Sequence, residues 1–179
     1  MPKHPLELLS EATIRKASIW LLAAWALLTL LLVAVLPYEL LGGITALAGA
    51  PDSAEASAIV ASWRPALRAG AAFLVGFDFL YDLVHNNAVA CACLWGATSG
   101  RPRHLLVARA FAWALWLCSL LNVPENLVYV RLLQGYSADP WVGLASAIAS
   151  LRLVVLWSGF TAGGALLLLG HARWRRRAA

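Results

Sequence analysis

The chain has 179 residues, of which 61% belong to the apolar set and 13% are charged, with a mean hydropathy of +0.73. A soluble domain carries about 25% charged residues, and one core of this size cannot hide so much apolar surface. Disorder is excluded by the same composition. The net charge of +5 does not indicate nucleic-acid binding, because the basic residues sit at the edges of apolar runs. What remains is an integral membrane protein.

A helix needs roughly 20 apolar residues to cross the hydrocarbon core. Four stretches qualify: Ala17 to Leu36, stopped by Pro37; Gly70 to Ala97; Leu105 to Leu133; and Trp141 to Gly170. None shows the alternation of a barrel strand. The expected fold is therefore all-α, a four-helix transmembrane bundle forming one domain over residues 1–179. The first apolar run is too long for the core of a signal peptide, so no cleavage is expected at Ala48-Gly49-Ala50. Residues 37–57 hold Glu39, Asp52 and Glu55 without a basic residue and read as an external loop. Ala54 to Ala69, with Trp63, Arg64 and Arg68, reads as a short amphipathic helix at the outer interface. Trp20, Trp63, Trp95, Trp141 and Trp174 fall near the expected interfaces, which indole rings favour.

Lysine and arginine set the orientation. Lys3, Arg15, Lys16, Arg101, Arg103, Arg109, Arg173, Arg175, Arg176 and Arg177 fall on one side, 10 of the 14 basic residues. Both termini are expected in the cytoplasm, in a multi-pass protein of the bacterial inner membrane. The tail from His171 to Arg177 reads as a stop-transfer anchor at an anionic leaflet.

Ionisable residues within the spans are the informative feature, because a charge near the bilayer centre costs at least about 2.5–3.5 kcal/mol and needs company. Asp78, Asp82, His85 and Asn86 share one face of span two. Asn87 falls on the other side, as a lone amide. Asn122, Glu125 and Asn126 share a face of span three, where Pro124 frees the carbonyl of Leu120. Span four carries Arg152. At 1.5 Å per residue, Asp78 lies roughly 12 Å, Asp82 roughly 18 Å, Glu125 roughly 10 Å and Arg152 roughly 16 Å below the outer boundary. The expectation is one buried polar site in the outer half of the bilayer. In it Asp78, Asp82, Glu125 and His85 carry acid–base chemistry, while Asn86, Asn122, Asn126 and Arg152 bind a ligand. The plain alternative is polar side chains that only tie helices together, at about 0.6 kcal/mol each.

Other chemistry finds little footing. Cys91, Cys93 and Cys118 form no CxxC and read as small buried residues. His4, His104 and His171 lie at the cytoplasmic edges, leaving His85 alone at depth, so a bis-histidine haem site is not expected. Asp78, Asp82, His85 and Glu125 offer O and N ligands that suit zinc or manganese, but the DxxxDxxH spacing matches no metal signature, and no metal site is assigned. No cofactor is indicated. Gly159 and Gly163 form a GxxxG pattern that permits close helix approach, including to a second copy or a larger complex. Membrane lipids are the expected partners.

Asp78 in span two, Glu125-Asn126-Leu127 in span three and Arg152 in span four resemble the pattern of a group of small bacterial four-span membrane proteins. Asn122 stands where that group would place an acid, and Arg152 where it would place lysine. The resemblance implies a shared intramembrane polar site and no named activity. Three readings follow. One is a binding site for a small amphipathic or cationic ligand, a lipid headgroup or a proton. The second is a membrane-embedded acid–base enzyme acting on a lipid or isoprenoid. The third is an accessory subunit of a larger membrane complex.

Overall fold

The computed structural model describes residues 1–98 and 102–178, with side chains for 1–98 and 102–169. Arg101 and the side chains of His171, Arg173, Trp174, Arg175, Arg176 and Arg177 lie outside the described residues. Among the described residues the chain is all-α, 87% helical and without strands. A 3-10 helix, Pro5–Leu8, precedes α1 (Glu11–Val35), α2 (Tyr38–Ala48), α3 (Ser53–Ser62), α4 (Pro65–Thr98), α5 (Pro102–Leu133) and α6 (Trp141–Ala178). Proline opens both α4 and α5, at the position where its missing N–H costs nothing. Asp52 caps α3 by accepting the amide of Glu55 at 2.9 Å. After α5, Gly135 adopts φ +83° and turns the chain, a conformation that suits glycine.

Among the described residues three helices are long and apolar enough to cross a membrane: α1, α5 and α6. Only 6% of the most apolar stretch of α1 is buried. Ile19, Trp20, Leu27, Leu30, Leu31 and Val33 stand exposed along it. Water would not tolerate such a surface; lipid does. α4 falls outside this set although it has 34 residues. Asp78, Asp82, His85, Asn86 and Asn87 lower its hydropathy.

The external loop expected over 37–57 is instead largely helical. Pro37 ends α1 and directly precedes α2. The helix expected over 54–69 is broken at Trp63 and Arg64, so α3 and α4 are separate elements. Trp63 is not an interface anchor: it is 7% exposed, with its ring 3.1 Å from where a Cβ on Gly43 would sit.

The chain sorts into two compact units. The first comprises residues 1–26, 83–119 and 152–179. Its core is built from Ile14, Val89, Leu94, Leu115 and Leu166, with many small residues between them. A Cβ on Gly96 would meet the backbone of Leu167 at 2.7 Å and of Leu166 at 2.8 Å, so α4 and α6 touch there through glycine. Gly159 faces Val89 and Leu115, and Gly163 faces Cys93. Both glycines of the GxxxG pattern thus meet side chains of the chain's own helices. Asn87, expected as a lone amide, accepts from the Trp116 indole at 3.1 Å and donates to the Leu83 carbonyl at 2.8 Å.

The N-terminal turn is pinned to this unit. His4, expected at an edge, is fully buried against the rings of Trp113 and Trp116. Its Nδ1 accepts from the Leu6 amide, and its own amide donates to Glu7 Oε1 at 2.8 Å. Arg109 grips the Glu7 carboxylate with two N–H groups, each at 2.7 Å. Arg109, Trp113 and Trp116 share one face of α5.

The second unit comprises residues 27–82 and 120–151. α2 and α3 pack with Ala71, Val75, Tyr129, Leu132 and Val142 in its core. Arg68 donates to the carbonyls of Val60 and Ala61 at the end of α3, where cations are favoured. Arg64 and Glu39 pair at 3.1 Å but stay exposed.

Two outcomes are expected. Gly96→Ala should cost about 1–3 kcal/mol by overpacking, against the helix-propensity gain of alanine. Gly164→Ala, where a Cβ meets nothing within 4 Å, should keep that gain and stabilise by about 0.5–1 kcal/mol. Chemical unfolding of the reconstituted protein checks both. The second outcome concerns acid. The Arg109 hydrogen bonds hold Glu7 below the usual carboxylate range, so its contribution is present above that range and lost as pH falls through the lowered value. Burial holds His4 below its ordinary 6.5, so native stability falls as pH drops below that value toward the lowered one. Both act in the same direction. Amide exchange of residues 6–9, corrected for intrinsic rate, should lose protection between about pH 7 and pH 5. Unchanged protection would uncouple His4 burial from the turn.

Candidate functional site

The acids of the second unit come from two helices. On α4, Ala71, Val75, Asp78 and Asp82 recur at helical spacing, so one stripe changes from apolar to acidic along its length. On α5, Asn122, Asn126 and Tyr129 form a matching stripe, with Glu125 beside it. All four α5 residues are buried, Asn122 at 1%, Asn126 at 3% and Glu125 at 6% exposure. Asp82 is buried as well, while Asp78 is half-buried.

Asn126 organises this cluster. Its Nδ2 donates to Asp78 Oδ2 at 3.1 Å and to Asn122 Oδ1 at 3.2 Å. Asn122 Nδ2 in turn reaches the backbone carbonyl of Asp78 at 3.5 Å, at the limit of a hydrogen bond. An amide nitrogen has two protons, and both of those on Asn126 are directed to acceptors. The Asp78 carboxylate is therefore held as an acceptor by α5. Thr29 and Tyr81 join α1 to α4 in the same unit through a hydroxyl pair at 3.0 Å. Pro124 sits within α5 without ending it.

The other expected site residues belong to the first unit. His85 is 5% exposed and stacks on Trp25, with centroids 5.1 Å apart and planes 16° from parallel. Phe160 lies 5.2 Å from Trp25 and 6.2 Å from His85. Asn86 donates to Ser119 Oγ at 2.9 Å. Arg152 is half-buried on α6. The structure thus joins Asp78, Asn122 and Asn126 by hydrogen bonds, buries Asp82 and Glu125 in the same unit, and places His85, Asn86 and Arg152 in the other. Among the described residues no three His, Cys, Asp or Glu side chains gather as a metal site requires.

No known family, curated protein or solved structure matches this chain. The chemistry must therefore be read from its own residues.

Charge alone did not lead to Trp25, Phe160, Ser119, Thr29 or Tyr81. Tyr81 was within reach, since it lies three residues after Asp78 and one before Asp82. The ring around His85 comes from helices distant in sequence and left no local signal.

The cluster makes a sharp test. Asn126→Ala should destabilise the protein by about 1–3 kcal/mol, because it strips a donor from a carboxylate away from water. Asn126→Asp should be worse, replacing two donors with a like charge. Unfolding of both variants in bilayer discs measures this. Equal stability of the two would show that the amide protons are not what Asp78 needs.

Proposed function

We propose that this chain crosses the bacterial inner membrane four times with both termini in the cytoplasm, and that its α4–α5 cluster binds a positive charge. The ligand is a small cation, the ammonium headgroup of an amphiphile, or a proton. The observation that carries this reading is the convergence of Asn126 and Asn122 on Asp78, beside the buried acids Asp82 and Glu125.

Charge balance supports it. Away from the span ends, near which Arg109 and Arg131 lie, the proposed spans hold three carboxylates, Asp78, Asp82 and Glu125, and one arginine, Arg152. Ionised acids in excess of guanidinium require a proton or a bound cation. A group held ready to accept from cationic donors does so at little reorganisation cost. The fourth crossing is α4: its 34 residues span roughly 51 Å as helix, and its low hydropathy comes from a face turned toward protein. The basic residues flanking α1 support the orientation, as does the acidic, lysine-free stretch around α2 and α3.

The full-length protein in phosphatidylglycerol discs provides the test, with ethanolamine and choline as probes. Saturating probe, at about 100 times its Kd, should stabilise the wild type by about 2.7 kcal/mol. Asp78→Asn and Glu125→Gln should lose that shift while still folding. If Asp78→Asn, Asp82→Asn and Glu125→Gln all leave both stability and probe response unchanged, the cluster is not a binding site.

A further inference from the structure

The N-terminal turn lies on a stripe of α5 formed by Arg109, Trp113 and Trp116, in the unit that does not contain the Asp78 cluster. Glu7 takes the guanidinium. The His4 ring sits beside the two indoles, with centroids 4.8 Å from Trp113 and 4.3 Å from Trp116, and stands steeply to both, at 67° and 70°.

The hydrogen bonds fix which nitrogen carries the proton. His4 Nδ1 accepts from the Leu6 amide at 3.2 Å, so the proton of the neutral ring is on Nε2. That Nε2 is buried and meets no acceptor among the described residues. The Trp113 indole nitrogen, also a donor, is buried without an acceptor as well. The Trp116 indole is spent on Asn87. The slot thus holds a neutral imidazole and offers nothing to a charged one.

A second proton can enter only at Nδ1. There it sets an N–H against the Leu6 N–H, donor facing donor, and the bond that closes the turn is lost. It also puts a cation on a ring that is 0% exposed. Glu7 attracts this cation from the same turn, but its oxygens already accept from Arg109 on α5 and from the His4 amide. Of the other nearby charges, Glu11 at the start of α1 accepts from Thr98, and Lys3 is exposed. Burial outweighs the pull of Glu7 and holds His4 below its ordinary 6.5. Local opening costs little here, because Leu8 and Leu9 are exposed even in the closed turn.

We propose that His4 is a proton-operated latch: protonation at Nδ1 frees the N-terminal turn from α5 while the helices stay folded, and uncovers Arg109, Trp113 and Trp116. The closed turn is fully favoured above 6.5. As pH falls from there toward the lowered value, each pH unit shifts the closed-to-open ratio by up to about tenfold, the slope of one proton.

The full-length protein in phosphatidylcholine discs tests the latch, with bimane attached at Lys3→Cys. Cys91, Cys93 and Cys118 are buried and stay unlabelled. Tryptophan quenches bimane at contact, so emission reports whether the turn sits on Trp113 and Trp116. Between about pH 8 and pH 5 emission should rise reversibly at constant helix content, with its midpoint below the ordinary histidine value. Exchange of the Leu6 amide, corrected for intrinsic rate, should share that midpoint. His4→Phe keeps a ring in the slot and His4→Asn keeps a cap acceptor, and neither takes a proton. Whichever of them is quenched at the alkaline end should stay quenched in acid. Wild-type emission that is constant, or that rises only as helix content falls, would overturn the latch. So would an acid rise in either variant at the wild-type midpoint.

Discussion

A polar side chain buried among packed helices finds no water, so the hydrogen bonds it needs come from protein. α4 carries Asp78, Asp82, His85, Asn86 and Asn87 within ten residues. That burden dictates much of what surrounds it. Asn126 and Asn122 supply amide protons to Asp78, Ser119 meets Asn86, and Trp116 meets Asn87. Each partner comes from α5, whose polar residues recur on one side for this reason. α1 faces the opposite situation. Its surface is almost entirely apolar and almost entirely unburied, as befits a helix solvated by lipid.

Close packing without water depends on shape more than on hydrophobicity. In the first unit the contacts run through Gly96, Gly159 and Gly163, set against Leu166, Leu167, Val89 and Cys93. Small residues let backbones approach until dispersion forces and the sulfur-to-carbonyl contact of Cys93 with Gly159 become available. The second unit relies on larger side chains, with Trp63 filling the space that Gly43 leaves. Its short helix α3 is held by the Asp52 cap and by Arg68, not by length.

The N-terminal turn shows how misleading local reading becomes outside the spans. A histidine four residues from the start, flanked by prolines and a lysine, has the look of a solvated end. It is instead wholly buried, because two tryptophans one turn apart on α5 make a slot for its ring. Glu7 and Arg109 are 102 residues apart and complete the attachment. Nothing in either local sequence marks the other as its partner.

Composition and periodicity were enough to define an all-α membrane chain, the extents of its long helices, and the polar faces of α4 and α5. These properties depend on the 3.6-residue repeat and on the free energy of transfer to lipid, both of which act residue by residue. The break between α3 and α4 and the helix in place of the outer loop were not legible. Short helices of about ten residues are marginal alone and exist by docking. Only the tertiary structure decided which amide serves which carboxylate and which ring encloses His85. It also decided that the glycine pattern of α6 meets its own chain. Those choices depend on which distant segments meet, and a linear pattern does not encode such encounters locally.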